Sequence, residues 1–308
     1  MDFLNNLFSG AQEWLFETLL QPTMFAMGLG HLLVDGYAAT GWLLVGLIQL
    51  VVLVAVIGPL QRWRPVEPVT DAASVRTDIL YTVIHRLGLF RLALFFSLDP
   101  VFDALFGALR VAGLSTFNLD AVWPGVTDLP LVSLAIYLVV IDALNYAIHR
   151  GQHRFDWWWR LHSLHHAQRQ MTMWSDNRNH LLDDVIKDVI VVGVAQLIGI
   201  APGQFVAIVA LTQLSESFQH ANVRIWFGQI GERLWISPRF HRMHHSFDSG
   251  RHNYGVLLPW WDMLLGSASF ELRFDPTGVR DQVEQECDYG RGFWAQQWGG
   301  LKRLVGRG

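Results

Sequence analysis

From Gly41 to Leu60 the chain runs twenty residues without a charged side chain. A helix of that length spans the roughly 30 Å hydrocarbon core of a bilayer. This run constrains the fold more than any other feature. Composition agrees with it: 51% of residues are apolar, only 16% are charged, and mean hydropathy is +0.25. Soluble domains carry about 25% charge, so an ordinary cytosolic enzyme is excluded, and so is a disordered chain. The 14 tryptophans suit membrane–water interfaces. A single cysteine, Cys287, excludes a disulfide scaffold and a cysteine-ligated metal site. A net charge of -4 gives no footing for nucleic acid.

The remaining hydrophobic pattern predicts an all-α, polytopic membrane bundle. Residues 2–20 read as an amphipathic interfacial helix anchored by Phe3, Leu4, Leu7, Trp14, Leu15 and Leu19, with no basic stretch that would mark a cleaved signal. Residues 24–40, broken by glycines, His31 and Asp35, read as a weak span or re-entrant piece. Further candidate spans are Asp78–Leu98, marred by His85, Arg86 and Arg91, and Leu129–Ile148. The arms Val185–Ile200 and Gln204–Phe218, joined by Ala201-Pro202-Gly203, form an expected hairpin. Arginines alternate along these segments: Arg62, Arg64 and Arg76 lie between the first and second spans and Arg150, Arg154, Arg160, Arg169 and Arg178 follow the third, whereas no Lys or Arg occurs from Val111 to Tyr146. The positive-inside rule then places residues 62, 149 and 219 at the cytoplasmic face. The expected division is 1–125 for the N-terminal helices, 126–272 for a catalytic unit, and 273–308 for a polar cytosolic tail.

Eleven of the 13 histidines lie between His149 and His252. His149 and His153 are four apart. His162, His165 and His166 form His-x-x-His-His, and His241, His244 and His245 repeat it. On a helix, positions i, i+3 and i+4 share a face, so each triplet is expected to aim three imidazoles at one volume. Neutral imidazole binds iron, zinc and copper. His180 precedes the hairpin and His220 ends it, so all these groups meet at one membrane face. They are too many for one ion, and a two-metal centre follows. Glu216, four residues before His220, is a further candidate ligand on that face. Metal-bound histidines usually donate their other N–H to a carboxylate or carbonyl; Asp142, Asp183, Asp184, Asp248 and Asp262 are available, and His252 is read as such a supporting residue. No His-Glu-x-x-His or Glu-x-x-His is present, which excludes zincin-type and soluble carboxylate-bridged di-iron patterns. His31 and His85 read as satisfied polar residues.

These boxes resemble those of the fatty acid hydroxylase/sterol desaturase superfamily. His149-Arg-Gly-Gln-His153, His162-Ser-Leu-His-His166 and His241-Arg-Met-His-His245 match its three histidine boxes in order. Asp142-Ala-Leu-Asn-Tyr146 and Phe155-Asp-Trp-Trp-Trp-Arg160 resemble its lead-in segments. Arg178-Asn-His180-Leu-Leu-Asp183 is similar to its Arg-x-His-Pro-x-Glu, with Leu181 and Asp183 as departures. Phe218-Gln-His220-Ala-Asn222, Asn253-Tyr-Gly255 and Trp261-Asp262 through Gly266 resemble its closing motifs, although some members have histidine where this chain has Glu216. The resemblance covers residues 126–272. It implies a non-haem di-iron centre that uses O2 and two external electrons to hydroxylate or desaturate an unactivated C–H bond of a membrane lipid: sterol, fatty acyl, carotenoid or ether lipid. Trp157, Trp158, Trp159 and Trp174 are candidates for the substrate entrance.

The main alternative is a membrane zinc hydrolase or another non-oxidative metal protein, since zinc accepts the same ligands and can substitute in purified protein. A b-type haem protein and a purely structural membrane protein are further readings. The sequence shows no haem domain, no Gly-x-Gly-x-x-Gly after a strand and no iron–sulfur cysteine set, so a separate ferredoxin- or cytochrome-like donor is expected. Arg-rich, Lys-poor usage points to a bacterial cytoplasmic membrane.

Overall fold

The structure is a computed structural model that describes residues 2–90, 94, 99–247 and 251–306. Among these residues it is all-helical; the only extended pairing is an isolated bridge between Ser246 and Thr277.

Helix α1 covers Asp2–Leu15, and Phe3, Leu7 and Trp14 on it are exposed. That is the unpartnered apolar face expected of an interfacial helix. The long apolar run is one helical stretch, Gly30–Trp63, whose main part is α2, Leu33–Val52. The weak segment 24–40 therefore does not form a separate span; its second half is the start of this helix. A wide turn interrupts it at Leu53–Ile57, where Gly58 N–H bonds to the Leu53 carbonyl five residues back. Pro59 explains the widening, because its ring excludes the carbonyl four residues before it. Phe16–Leu20 widens in the same way ahead of Pro22. Val34, Ile48, Val51 and Val54 stay exposed along α2 and its extension.

Helix α3, Ala72–Arg86, stops at a turn where Gly88 has φ +73°. The expected span Asp78–Leu98 therefore breaks at Leu87, and most of its second half lies outside the described residues. Its described polar residues Asp78, Thr82 and Arg86 are buried rather than turned to lipid. Asp78 pairs with Arg178, and Arg86 is buried against polar groups of three segments. At the α2–α3 crossing, a Cβ on Gly46 would stand 1.6 Å from the Arg86 carbonyl oxygen. Only glycine lets the two backbones meet. Gly46→Ala should force the helices apart and cost about 1–3 kcal/mol or more, read as a lower unfolding midpoint in detergent; wild-type stability would contradict this contact.

Helix α4 is Pro130–Arg154, the second helix long and apolar enough to cross a membrane. It runs beyond the expected Ile148 and carries His149 and His153 past the apolar segment. A short break leads into α5, Asp156–His166. The hairpin is α6, Leu181–Ile198, and α7, Pro202–His220. Gly199, at φ +70°, closes α6 in the left-handed conformation, and Pro202 opens α7. Helix α8, Pro238–His244, is capped by Ser237, whose hydroxyl accepts from Phe240 N–H.

The C-terminal residues do not trail away as a polar tail. Helix α9, Phe293–Leu304, packs against α5 and α3 through Phe293, Gln296, Gln297 and Gly300. A Cβ on Gly300 would overlap the His180 ring.

Candidate metal centre

Nine histidines converge where the ends of α4, α5, α7 and α8 meet, and they sort into two groups. His149, His153, His162 and His166 have one ring nitrogen each within 4.8 Å of all the others; His165, His220, His241 and His245 form a second such set. His244 faces the first group, its ring 4.5 Å from His149, 4.6 Å from His153 and 4.7 Å from His166. The His166 and His245 rings stack at 4.2 Å between the groups.

This arrangement corrects one sequence expectation. The triplets do not each serve one volume. His162 and His166, four apart, go to the first group, whereas His165 turns to the second. His241 and His245 go to the second group, and His244 turns to the first. Positions i and i+4 overlay closely on a helix, but i+3 lies about 60° round from i, on the other side of it from i+4. With two sites on one face, the i+3 residue reaches the neighbouring one.

Ring orientation is set from outside in the first group. His149 Nδ1 donates to the Tyr254 carbonyl at 2.8 Å, His162 Nδ1 to Asp183 Oδ2 at 3.1 Å, and His244 Nδ1 to the His252 carbonyl at 2.8 Å. Each bond places the hydrogen on Nδ1 and leaves the Nε2 lone pair facing inward. Nε2 of His149, His153, His162, His166 and His244 is buried without a hydrogen-bond partner. Unpartnered buried nitrogens are costly, and five around one point fit a cation. Trp159 packs on His153 at 4.9 Å and on His166 at 5.3 Å.

In the second group, Nε2 of His165 and of His241 each lie 3.1 Å from His220 Nε2, and His245 Nε2 lies 3.1 Å from His241 Nε2. Hydrogens cannot satisfy this row. His220 donates through Nδ1 to the Glu216 carbonyl at 2.8 Å, so its neutral Nε2 is bare. His241 Nε2 would then have to serve two contacts with one hydrogen or one lone pair. A shared cation resolves the conflict, since nitrogens about 2.1 Å from a metal stand about 3.0–3.4 Å apart. Burial, reinforced by neighbouring imidazoles, holds His165, His166, His241 and His245 well below their ordinary range. Burial likewise takes His244 down to about 3, against the carbonyl bond from His252. These rings are neutral at pH 7, the form that ligates.

His180 and Glu216 lie outside both groups. His180 caps α6, its Nδ1 accepting from Leu182 N–H at 3.2 Å and its Nε2 donating to the Gln297 carbonyl at 2.9 Å. Both ring nitrogens are thus used, Nδ1 in capping α6 and Nε2 in seating α9. Glu216 meets the centre only through its backbone carbonyl. His31 is exposed, and His85 faces Asp184 at 3.4 Å.

Of the acidic residues singled out, Asp183 alone accepts from a histidine of the two groups. Gln152 and Trp158 also donate to it, at 2.8 and 2.6 Å. Asp142 instead accepts from Leu257 N–H, Leu258 N–H and Trp261 Nε1. Asp262 holds Tyr254 N–H and Gly255 N–H. Together they fix the loop whose Tyr254 carbonyl orients His149. Asn253, at φ 61°, ties this loop to α8 through the Phe240 carbonyl. A Cβ on Gly255 would meet Ile236 at 2.6 Å and Leu258 O at 2.9 Å, so glycine is required there. Asn222 clamps residues 66 and 67 after the long helix, and Asp248 lies outside the described residues. Trp158 is buried and Trp157 stacks on it at 5.2 Å, while Trp174 packs on the core around Leu53. Sequence reasoning missed the Tyr254 carbonyl and Gln152, because a backbone acceptor and an amide carry no residue-type signal.

Asp183→Asn keeps the shape and removes the charge opposite His162. Metal affinity in the first group should fall about ten- to a hundredfold, measured by chelator competition; unchanged retention would show that Asp183 only packs.

Residues 134–267 match the family model described as fatty acid hydroxylase. This segment is a fatty acid hydroxylase domain. The chain is 28% identical to an ornithine lipid hydroxylase of Rhizobium tropici, over 82% of this chain and 76% of that protein. A fatty acid hydroxylase of a Lecanicillium species is 22% identical over 48% of this chain and 45% of its own length. An alkylglycerol monooxygenase of Caenorhabditis elegans is 24% identical over 44% of this chain and 26% of its own. No solved structure matches the chain.

Proposed function

We propose that the protein is a membrane lipid hydroxylase in which the two histidine groups hold two iron ions. The observation that carries this reading is the set of buried, inward-facing imidazole nitrogens that no protein hydrogen satisfies. His149, His153, His162, His166 and His244 would hold one ion; His165, His220, His241 and His245 would hold the other. Bound iron supplies O2 activation and the oxidising power to break an unactivated C–H bond, for which no side chain suffices. The balance is one C–H bond, O2, two electrons and two protons giving an alcohol and water.

The protein's own contribution is position and orientation. The Tyr254 and His252 carbonyls and Asp183 keep three rings in the ligating tautomer. Trp159 shields His153 and His166. A cavity of about 220 Å³, lined by His149, His162, His165, His220 and His241, leads from the centre into the bundle. It gives a lipid a route to the ions without passing through bulk water.

Arginines at the histidine end support a cytoplasmic placement of the centre, in a bacterial inner membrane, with electrons from a separate carrier. Residues 126–272 are proposed as the catalytic unit. The test is metal analysis of the purified chain with isotopic lipid analysis. Two irons per chain and label from ¹⁸O2 in a membrane lipid are expected. Zinc with label only from H2¹⁸O would establish the hydrolase reading instead.

A further inference from the structure

After α7 the chain turns back beside the bundle. Leu257 N–H, Leu258 N–H and Trp261 Nε1 donate to Asp142 at 2.8, 3.3 and 3.0 Å. Asp142 stands seven residues before His149 on α4, about 10 Å back along the helix into its apolar run. Trp235 Nε1 donates to Ser215 Oγ at 2.9 Å. Ser215 stands five residues before His220 on α7, about 7–8 Å back. The two segments also hold each other, through Ile236 N–H on the Leu257 carbonyl and Trp260 Nε1 on the Arg233 carbonyl. Both α4 and α7 reach the metal centre at their C-terminal ends. Two separate rulers therefore place residues 226–236 and 257–265 beside the apolar part of the bundle, on the bilayer side of the histidines.

The outer faces of these segments are apolar and uncovered. Trp226, Ile230 and Leu234 recur every four residues around the short helix Gly228–Gly231, and all three are exposed, Ile230 to 76%. On the helix Trp260–Leu265, Trp260, Met263 and Leu264 are exposed, Leu264 to 74%. Large apolar patches of this kind mark an interaction surface. The polar groups are arranged as hydrocarbon requires, where backbone donors must be served from within the protein. The N–H groups of Glu232, Arg233, Leu234 and Trp235 bond to carbonyls of the same segment, and Phe227 N–H bonds to the Glu232 carboxylate. That carboxylate is buried and closed off by Ser237 and Arg239. The exposed Arg233 folds its guanidinium over the Phe270 ring at 4.7 Å and donates to the Gln229 carbonyl. A long basic stem of this sort covers apolar surface while its head reaches the interface.

We propose that residues 226–235 and the helix Trp260–Leu265 form a membrane-immersed flange, its apolar face lying among the acyl chains of the leaflet that the metal centre faces. Lipid, rather than water or a second copy of the chain, covers it. The depth set by Asp142 and Ser215 favours lipid, because the flange stands alongside the apolar stretches of α4 and α7. The tryptophans Trp226 and Trp260 suit the upper edge of such a layer. The flange goes beyond the proposed function and holds whichever ion the centre binds.

The test is the accessibility of nitroxide labels on the full chain in phosphatidylcholine nanodiscs. Cys287→Ser removes the single cysteine. Ile230→Cys and Leu264→Cys then carry the label one at a time. Val51→Cys, at an exposed site on the long apolar helix, is the reference for lipid, and Arg154→Cys, at the exposed end of α4, is the reference for water. Labels at 230 and 264 should collide with O2, which concentrates in hydrocarbon, and escape a water-soluble nickel chelate, as at 51 and in contrast to 154. Nickel access equal to that at 154 overturns the flange. Protection from both reagents also overturns it, and spin–spin broadening between chains would then identify a second copy as the cover. The unmodified chain provides an arm that no substitution can spoil. In vesicles of phosphatidylcholine bearing a mid-chain diazirine, photolysis should label peptides 226–235 and 260–265 as well as 33–52. Label in 33–52 without label in the other two overturns the flange and leaves the membrane span standing. Absence of label from all three overturns both.

Discussion

His220→Ala is expected to take the metal content from two ions per chain to one and to lower turnover by at least about a thousandfold, because oxygen chemistry at a paired site needs both metals. His220 is the only member of the second group that comes from α7. Its Nε2 lies 3.1 Å from the nitrogens of both His165 and His241. The split of the triplets sharpens this test. His165 and His166 are adjacent in sequence but serve different groups, so H165A/H166A should retain no ion. H165A/H220A removes two ligands of one group and should retain one. If each triplet built its own site, H165A/H166A would spare the ion of the 241–245 triplet. Metal analysis of the two double variants decides between these arrangements without reference to activity, and His31→Ala, at an exposed position, is the control for unchanged content.

The site was legible because ligation demands a particular residue type at helical spacing, and that pattern survives in one dimension. All nine histidines of the two groups could be named from the boxes and from the end of the hairpin. Their partition was not legible, since which of two neighbouring points an imidazole faces depends on how α4, α5, α7 and α8 cross. His180 looks in sequence like His220, a single histidine at a hairpin end, yet its two nitrogens serve backbone groups of α6 and α9. Glu216 has ligand chemistry and ligand spacing, but its side chain lines the cavity instead. Lys187 and Asp188 carried no motif at all, and only the fold places them on the cavity wall. The long apolar runs forecast α2 and α4 well. The segment after Asp78 misled because charge in an apolar stretch has two solutions, exclusion from the bilayer or burial against partners, and composition does not distinguish them.

Arg86 shows the second solution and gives the largest expected effect on stability. Its side chain is 1% exposed and donates to Gln49 Oε1 at 3.1 Å, Asp176 Oδ2 at 2.9 Å, the Gln213 carbonyl at 2.9 Å and Ser217 Oγ at 2.8 Å. One guanidinium thus links α2, α3, α7 and the turn after the second histidine box, which suits its planar fork better than a lysine would. Arg86→Met keeps the apolar stem but leaves the Asp176 carboxylate, itself 5% exposed, with only Ser217 and Asn177 as donors. Breaking a buried pair from one side costs about 3–5 kcal/mol, mostly through the charge left behind. The unfolding midpoint in detergent should fall accordingly, and Arg86→Lys should recover only part of the loss. The double variant R86M/D176L removes both charges, and apolar replacement of a whole buried pair is often near neutral. Its midpoint should therefore lie above that of R86M alone. If the double variant is the less stable of the two, the network is held by its uncharged bonds to Gln49, Gln213 and Ser217, and the cost of R86M does not come from a stranded carboxylate.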